Sequence, residues 1–376
     1  MPAVPFHRPY LTGTEGAHIA ESLASRHLRG DGPATQRASA LLAERVGDGA
    51  VLLTPSCTHA LELSAMLLDL GPGDEVIMPS FTFVSTANAY VLRGATPVFV
   101  DIDPLTLAIA PDAVAAAVTP RTRAVVVVHY AGIACDMAAL GAIADEHDLV
   151  LIEDNAHGLG GTWIDRPLGS IGTMSAVSFH DTKNFQCGEG GALVVNDPDL
   201  VHRAEILREK GTNRRAFLRG QVDRYSWVDV GSSYLLGDVL AALLVGQLEA
   251  FDHIQRARHR IWAAYHDRLA GWAADHGVQL PAPRHDSLHA AHLYHLLLPD
   301  PDARGEFLAH MAANDVGSAF HYVPLHSTDL ARRLGHRGEL PVTDSVAARL
   351  ARLPLYPDLS DDELEQVVDT VVKFTP

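Results

Sequence analysis

The chain has 376 residues, 47% of them apolar and 20% charged, enough for two domains built around sizeable cores. A formal net charge of −17 argues against a general nucleic-acid binder, which needs a basic face. Cys57, Cys135 and Cys187 form no C-x-x-C pair, which argues against a disulfide framework or a zinc ribbon.

The first ten residues carry no apolar leader, and no apolar run reaches membrane-spanning length. A cytoplasmic, reducing location is therefore expected. In chain order, short apolar runs at 51–53, 75–78, 97–100, 124–128 and 149–152 predict strands. Helical spacing at 60–70, 84–92 and 137–147 fills the intervals. Continuous runs such as Val125 to Val128 suit strands buried on both faces, hence a mostly parallel sheet covered by helices. Gly71-Pro-Gly-Asp74 and Thr119-Pro-Arg121 read as turns.

Two more strand-like pieces, 176–179 and 192–195, flank a loop that holds Lys183. A long helical pattern from 239 to 269 follows. Beyond about 270 an α+β pattern takes over: strand-like at 293–298, helical at 304–313, strand-like at 318–323. The expected organisation is a large α/β domain over 1–250, with an N-terminal arm, and a smaller α+β domain over 251–376.

Lys183 is the residue to explain. Of 29 basic residues only three are lysine: Lys183, Lys210 and Lys373. Arginine cannot replace an amine that must lose its proton and attack a carbonyl, because guanidinium stays charged. Lys183 is thus a candidate Schiff-base lysine; a solvated loop lysine is the alternative. Asp154, in Glu153-Asp-Asn-Ala-His157, follows a buried run, where a carboxylate can pair with a pyridinium nitrogen or cap a helix. Thr54-Pro-Ser-Cys-Thr-His-Ala60 places hydroxyls at a helix start, either as an anion site or as a simple cap. Ser178 adds a hydroxyl five residues before the lysine. Phe81 and Phe83 offer a ring for stacking or for the core. No Gly-x-Gly-x-x-Gly follows a strand and no metal-ligand spacing appears, so neither a dinucleotide nor a metal is expected. The histidines within 285–295 read as surface or structural.

Taken together, Ser56-x-Thr58, the run Gly71-Pro-Gly-Asp-Glu-Val-Ile-Met-Pro-Ser-Phe-Thr-Phe-Val-Ser-Thr-Ala-Asn88, Pro97-Val-Phe-Val-Asp-Ile-Asp103, Glu153-Asp154, Ser178-Phe-His-Asp-Thr-Lys183 and Gly188-Glu-Gly-Gly191 resemble the DegT/DnrJ/EryC1/StrS family. The resemblance implies a pyridoxal-phosphate (PLP) sugar aminotransferase of aspartate-aminotransferase fold type I, working as a homodimer with shared active sites. Lys210-Gly-Thr-Asn-Arg214, Arg219-Gly-Gln-Val-Asp-Arg-Tyr-Ser-Trp227 and Gly231-Ser-Ser-Tyr-Leu-Leu236 are similar to the branch acting on dTDP-4-keto-6-deoxy-D-glucose. L-Glutamate would be the amino donor, and a dTDP-4-amino-4,6-dideoxyhexose the product.

By the same resemblance, Lys183 binds the cofactor and moves the proton, Asp154 pairs with the ring nitrogen, and Phe83 stacks on the ring. Thr58, the backbone of His59 and Ser178 hold the phosphate. His157 stands where the family usually has Gln, near the ring hydroxyl. Ser233 stands where many members carry an Asn that reaches the neighbouring subunit's phosphate. Tyr322 and His326 are placed near the sugar, and Asn213 and Arg214 near its nucleotide. Sugar 3-dehydratases of this family carry His at the lysine position, so Lys183 favours transamination.

Overall fold

The computed structural model describes residues 2–336 and 338–376. Its strands, in chain order, are β1 (Ala50–Thr54), β2 (Glu75–Pro79), β3 (Thr96–Val100), β4 (Thr122–Val128), β5 (Val150–Asp154), β6 (Thr162–Trp163), β7 (Arg166–Pro167), β8 (Met174–Ser178), β9 (Gly191–Val195), β10 (Ser287–Leu288), β11 (Tyr294–Leu297) and β12 (Leu350–Leu353). Seven of them form one sheet in the order β1-β9-β8-β5-β4-β2-β3. Only β9 runs against its neighbours; the remaining contacts in the sheet are parallel.

The valine run explains why the sheet is covered on both sides. Ala124 and Val126 of β4 enter one apolar cluster, and Val125 and Val127 enter another across the sheet. Side chains alternate along a strand, so a run without polar interruption needs apolar partners on each face. The first cluster is closed by the helix Cys57–Leu67, and the second by Met137–Glu146.

A separate cluster gathers Ile261, Tyr265 and Leu269 of the helix Phe251–His276 with β11, β12 and the helices Pro301–Ala313 and Asp361–Val372. Val4 belongs to this cluster and bridges to Val316, so the chain start packs against its C-terminal part.

Two expected elements differ. The helical pattern of 239–269 is two helices, Asp238–Glu249 and Phe251–His276, parted at Ala250. Residues 318–323 are not a strand; among the described residues their one ladder bridge to β12 is Ala319–Arg352. Gly317 lies so close to Phe6 that a Cβ there would collide with its backbone, and Pro324 lacks the N–H to extend a ladder. No described helix is long and apolar enough to cross a membrane.

One long-range cap ties the first helices to the sheet layer. Asp238 is fully buried and accepts from the amides of Ala34 and Thr35 and from the Thr35 hydroxyl, at 3.3, 2.8 and 2.7 Å. It thereby caps the helix Pro33–Val46 from outside that helix. Asp238→Ala leaves three donors without their acceptor, and urea unfolding should show a loss of about 2–3 kcal/mol.

Candidate active site

Parallel strands end at one edge of the sheet, and the loops leaving them meet there. Asp154 is the last residue of β5 and Ser178 the last of β8. The chain leaves β1 through Ser56 into the helix Cys57–Leu67. Because β9 is antiparallel, the loop from Ser178 to Gly191 turns back at the same edge and carries Lys183. A cavity of about 390 Å³ opens there, lined by Thr58, Phe83, Asp154, His157, Ser178, Lys183 and Tyr322, among others.

Lys183 donates no side-chain hydrogen bond to any described residue. Burial pulls its ammonium down to about 8, although Cys57 and Asp154 act the other way. About a tenth of the amine is therefore neutral at pH 7, far more than for an ordinary lysine, and a nucleophile must be neutral.

Asp154 is buried and accepts from the Thr86 hydroxyl at 2.7 Å and the Ala156 amide at 3.2 Å. Burial raises its pKa more than these two donors lower it. Such a carboxylate can still take a cationic N–H.

Its neighbour Glu153 faces the other way and is fully satisfied. It accepts from His129 Nε2 and from the amides of Gly169, Ile171 and Gly172, at 2.7–2.9 Å. Burial alone would raise Glu153, but these donors outweigh it and its pKa is lowered. His129 Nδ1 accepts the Cys135 amide, so the ring keeps a lone pair there and donates through Nε2.

At the helix start, Ser56 Oγ accepts the His59 amide at 3.2 Å, while Thr58 Oγ1 meets Ser85 Oγ at 2.7 Å. The amides of Cys57 and Thr58 have no hydrogen-bond partner among the described residues. They, rather than that of His59, are the donors left for an anion. Gly191 is required beside them, since a Cβ would collide with the Cys57 nitrogen. Phe83 lines the mouth and is 57% exposed, which leaves a ring face open.

His59 itself packs against Tyr234, 5.1 Å between ring centres, and does not line the cavity. His326 is also outside it: Nδ1 meets Ser80 Oγ at 2.7 Å, and Nε2 lies 3.4 Å from Asp344. Asn213 accepts the Ser226 amide, Arg214 pairs with Glu209, and Ser233 is exposed and bridges to Glu209. These three residues sit together, away from the cavity of their own chain.

Sequence reading passed over several lining residues. His292, within the stretch read as surface or structural, lines the cavity and stacks on His157 at 4.1 Å. His321, Arg352, Phe6 and His7 line it too. Thr86 stands three places beyond Phe83 in the sequence, and its contact with Asp154 is a tertiary fact. His157 Nε2 lies 3.4 Å from the Tyr322 hydroxyl, and Nδ1 is buried without a partner. Burial, then the Lys183 cation, holds His157 well below its ordinary pKa.

The DegT/DnrJ/EryC1/StrS aminotransferase family model matches residues 9–372. The chain belongs to this family. It is 36% identical over 377 residues to the spore coat polysaccharide biosynthesis protein SpsC of Bacillus subtilis, covering 98% of this chain and 96% of that one. The aminotransferase TlmJ of Streptoalloteichus hindustanus superposes with a TM-score of 0.90 at 34% identity, covering 98% of both chains. The Spr1654 protein of Streptococcus pneumoniae, in its PLP form, gives 0.89 at 27% identity, again over 98% of both chains.

As a family member the chain is a PLP-dependent aminotransferase, with the fold of that class. The residues present fit the cofactor. An underpaired buried carboxylate suits a protonated ring nitrogen, a partly neutral amine suits an aldehyde, and free amides with hydroxyls suit a phosphate. Glu153→Gln would turn an amide NH₂ toward backbone donors. The variant should unfold earlier in urea, by about 2–4 kcal/mol.

Proposed function

We propose that the enzyme moves the amino group of L-glutamate to C4 of dTDP-4-keto-6-deoxy-D-glucose, giving a dTDP-4-amino-4,6-dideoxyhexose. The observation that carries the transfer chemistry is the Lys183 amine, drawn to about 8 in the cavity that also holds Asp154. The sugar assignment is supported by the likeness to SpsC, a polysaccharide biosynthesis protein. The segments 210–214, 219–227 and 231–236 support the choice of C4 and of a dTDP sugar.

PLP, when bound, supplies an electron sink for the carbon that loses its proton. In this reading Lys183 takes that proton and returns it to the neighbouring carbon, serving both half-reactions. Asp154 keeps the ring nitrogen protonated, and Thr86 and the Ala156 amide orient its carboxylate. Thr58 and Ser178, with the amides of Cys57 and Thr58, hold the phosphate. Phe83 covers one ring face, and His157 meets the ring hydroxyl. Tyr322 contacts the sugar.

Asn213 and Arg214 serve the nucleotide of a second subunit's substrate, and Ser233 lies on the same surface. That segment exposes Leu218, Tyr225, Trp227, Val228 and Val230, with Trp227 79% exposed, which supports a homodimer. A cytoplasmic location belongs to the same reading.

The deciding experiment follows the visible band of the lysine-bound cofactor. L-Glutamate should bleach it, and dTDP-4-keto-6-deoxy-D-glucose should restore it. Restoration only by another keto sugar, or amination at C3 by NMR, overturns the substrate. No response to any amino donor overturns the enzyme's assignment. Lys183→Ala should lose the covalent link and on the order of 10³-fold or more in turnover.

The amine must be neutral to capture the cofactor, and protonation below about 8 removes that form. The rate of PLP capture by apo-protein should therefore fall about tenfold per pH unit below that point and level off above it. A rate independent of pH from 6 to 9 contradicts the burial argument.

A further inference from the structure

Tyr130 has no part in the chemistry described above, yet five rings gather around it. Its ring centre lies 4.9 Å from Phe81, 5.7 Å from His321, 5.8 Å from His157, 6.0 Å from His295 and 6.1 Å from Tyr322. It follows β4, is fully buried and does not line the cavity. His157, His321 and Tyr322 do line it, so Tyr130 stands directly behind that wall.

A phenol sealed from water needs an acceptor for its proton. The Tyr130 hydroxyl has one partner among the described residues, His321 Nδ1 at 3.1 Å. His295 is also beside it, but both of its ring nitrogens are buried without a partner, so it takes nothing from Tyr130. Burial holds Tyr130 above its ordinary pKa, and the phenol keeps its proton. Burial, then Arg352 and Lys183, hold His321 far below its ordinary value, and the imidazole is neutral. A neutral imidazole has one N–H and one lone pair. Were Nδ1 the protonated nitrogen, the phenol proton would face no acceptor. Tyr130 is therefore the donor and Nδ1 the acceptor, which leaves the imidazole proton on Nε2. That nitrogen has no partner among the described residues, and its ring lines the cavity.

We propose that Tyr130 is a positioning residue: its hydroxyl fixes His321 in the tautomer that presents an N–H to the cavity, where it meets an oxygen of the keto substrate. A sugar hydroxyl or carbonyl oxygen accepts from such a donor with no charge on either side. His321 packs against Tyr322, with ring centres 3.4 Å apart, and Tyr322 contacts the sugar in the function proposed above. The choice of the keto substrate rests on that reading; the tautomer does not.

The test compares PLP-loaded wild type, Tyr130→Phe, His321→Leu and the double variant, with melting temperature and cofactor absorbance as checks on folding. Nitrogen NMR of isotope-labelled histidine rings reports the tautomer, and the His321 signals are those absent from His321→Leu. Wild type should show a protonated Nε2 and a bare Nδ1 at His321. Tyr130→Phe should move both signals toward a mixture of tautomers. The two half-reactions are then followed separately. Tyr130→Phe should raise the keto-substrate concentration needed for half-maximal rate about tenfold, and change the L-glutamate half-reaction much less. With His321→Leu already present, the same substitution should add nothing. His321 signals unchanged by Tyr130→Phe, or an equal cost with and without His321, overturn the role of Tyr130. A loss confined to the L-glutamate half-reaction overturns the assignment to the keto substrate. A wild type that accepts no keto sugar overturns the function proposed above instead, and the NMR signals then decide Tyr130 alone.

Discussion

Glu153 accepts four hydrogen bonds out of water, and those bonds fix the edge of the sheet. His129 follows the end of β4, and the amides of Gly169, Ile171 and Gly172 belong to the turn that enters β8. One carboxylate therefore binds the ends of β4, β5 and the approach to β8 together. Along a strand successive side chains point to opposite faces. Asp154, next in the chain, is accordingly turned toward the cavity, with only two donors. Two adjacent acids are shifted in opposite directions, one lowered by its donors and one raised by burial. The first is a structural tie, and the second keeps the capacity to meet a ligand cation.

The lysine loop is tied down by a second set of contacts. Asn184 donates to the Gln255 side chain and the Ala290 carbonyl, and its oxygen faces His292 Nδ1 at 2.9 Å. Since the Asn184 amide nitrogen is spent as a donor, its oxygen accepts and His292 donates from Nδ1. Arg258, buried in the helix Phe251–His276, donates to the carbonyls of Ala291 and His292. Burial draws it down to about 9. The position of Lys183 thus depends on the sheet through β8 and β9, and on the long helix through its neighbour. A flexible loop would leave the amine free to seek water; this one holds it where burial depresses its pKa.

How far the sequence could foretell this follows from where each signal lies along the chain. The valines of β4 announce a doubly covered strand because the pattern is local and unbroken. Lys183, Asp154, Ser178 and Thr58 were visible because each lies within a few residues of a strand end. His292, His321 and Arg352 come from segments far apart in sequence, and their neighbours resemble ordinary surface or strand residues. Their convergence is a property of how the C-terminal part packs. The helix break at Ala250 was hidden for a related reason. Apolar spacing continues across it, and no proline or glycine marks the change. The strand expected at 318–323 failed because its apolar residues answer to packing near Phe6 and β12, not to a ladder.

The cavity accordingly has two walls under different constraints. The first is the sheet edge, where hydrogen-bonded strands hold Asp154, Ser178 and the Ser56–Thr58 turn. The second is assembled from residues 6–7, 292–293, 321–322, 352–353 and 355, carried by the chain start and by the C-terminal part, where β12 pairs with β11. His157, which follows β5, stacks with His292 and His321 of this second wall; the first two are buried, His321 is half-buried, and all three are depressed in pKa, with burial the largest cause in each. Lys183 and Arg352 push the same way. The rings therefore stay neutral and serve as hydrogen-bonding surfaces rather than as charges. With the imidazoles neutral, the two cations keep their attraction for an incoming anion undiluted by competing positive groups. The same burial that makes Lys183 a partly neutral amine also leaves Arg352 charged, because guanidinium resists deprotonation. One desolvated cavity can thus hold a nucleophile and a fixed cation side by side, and the difference between amine and guanidinium decides which is which.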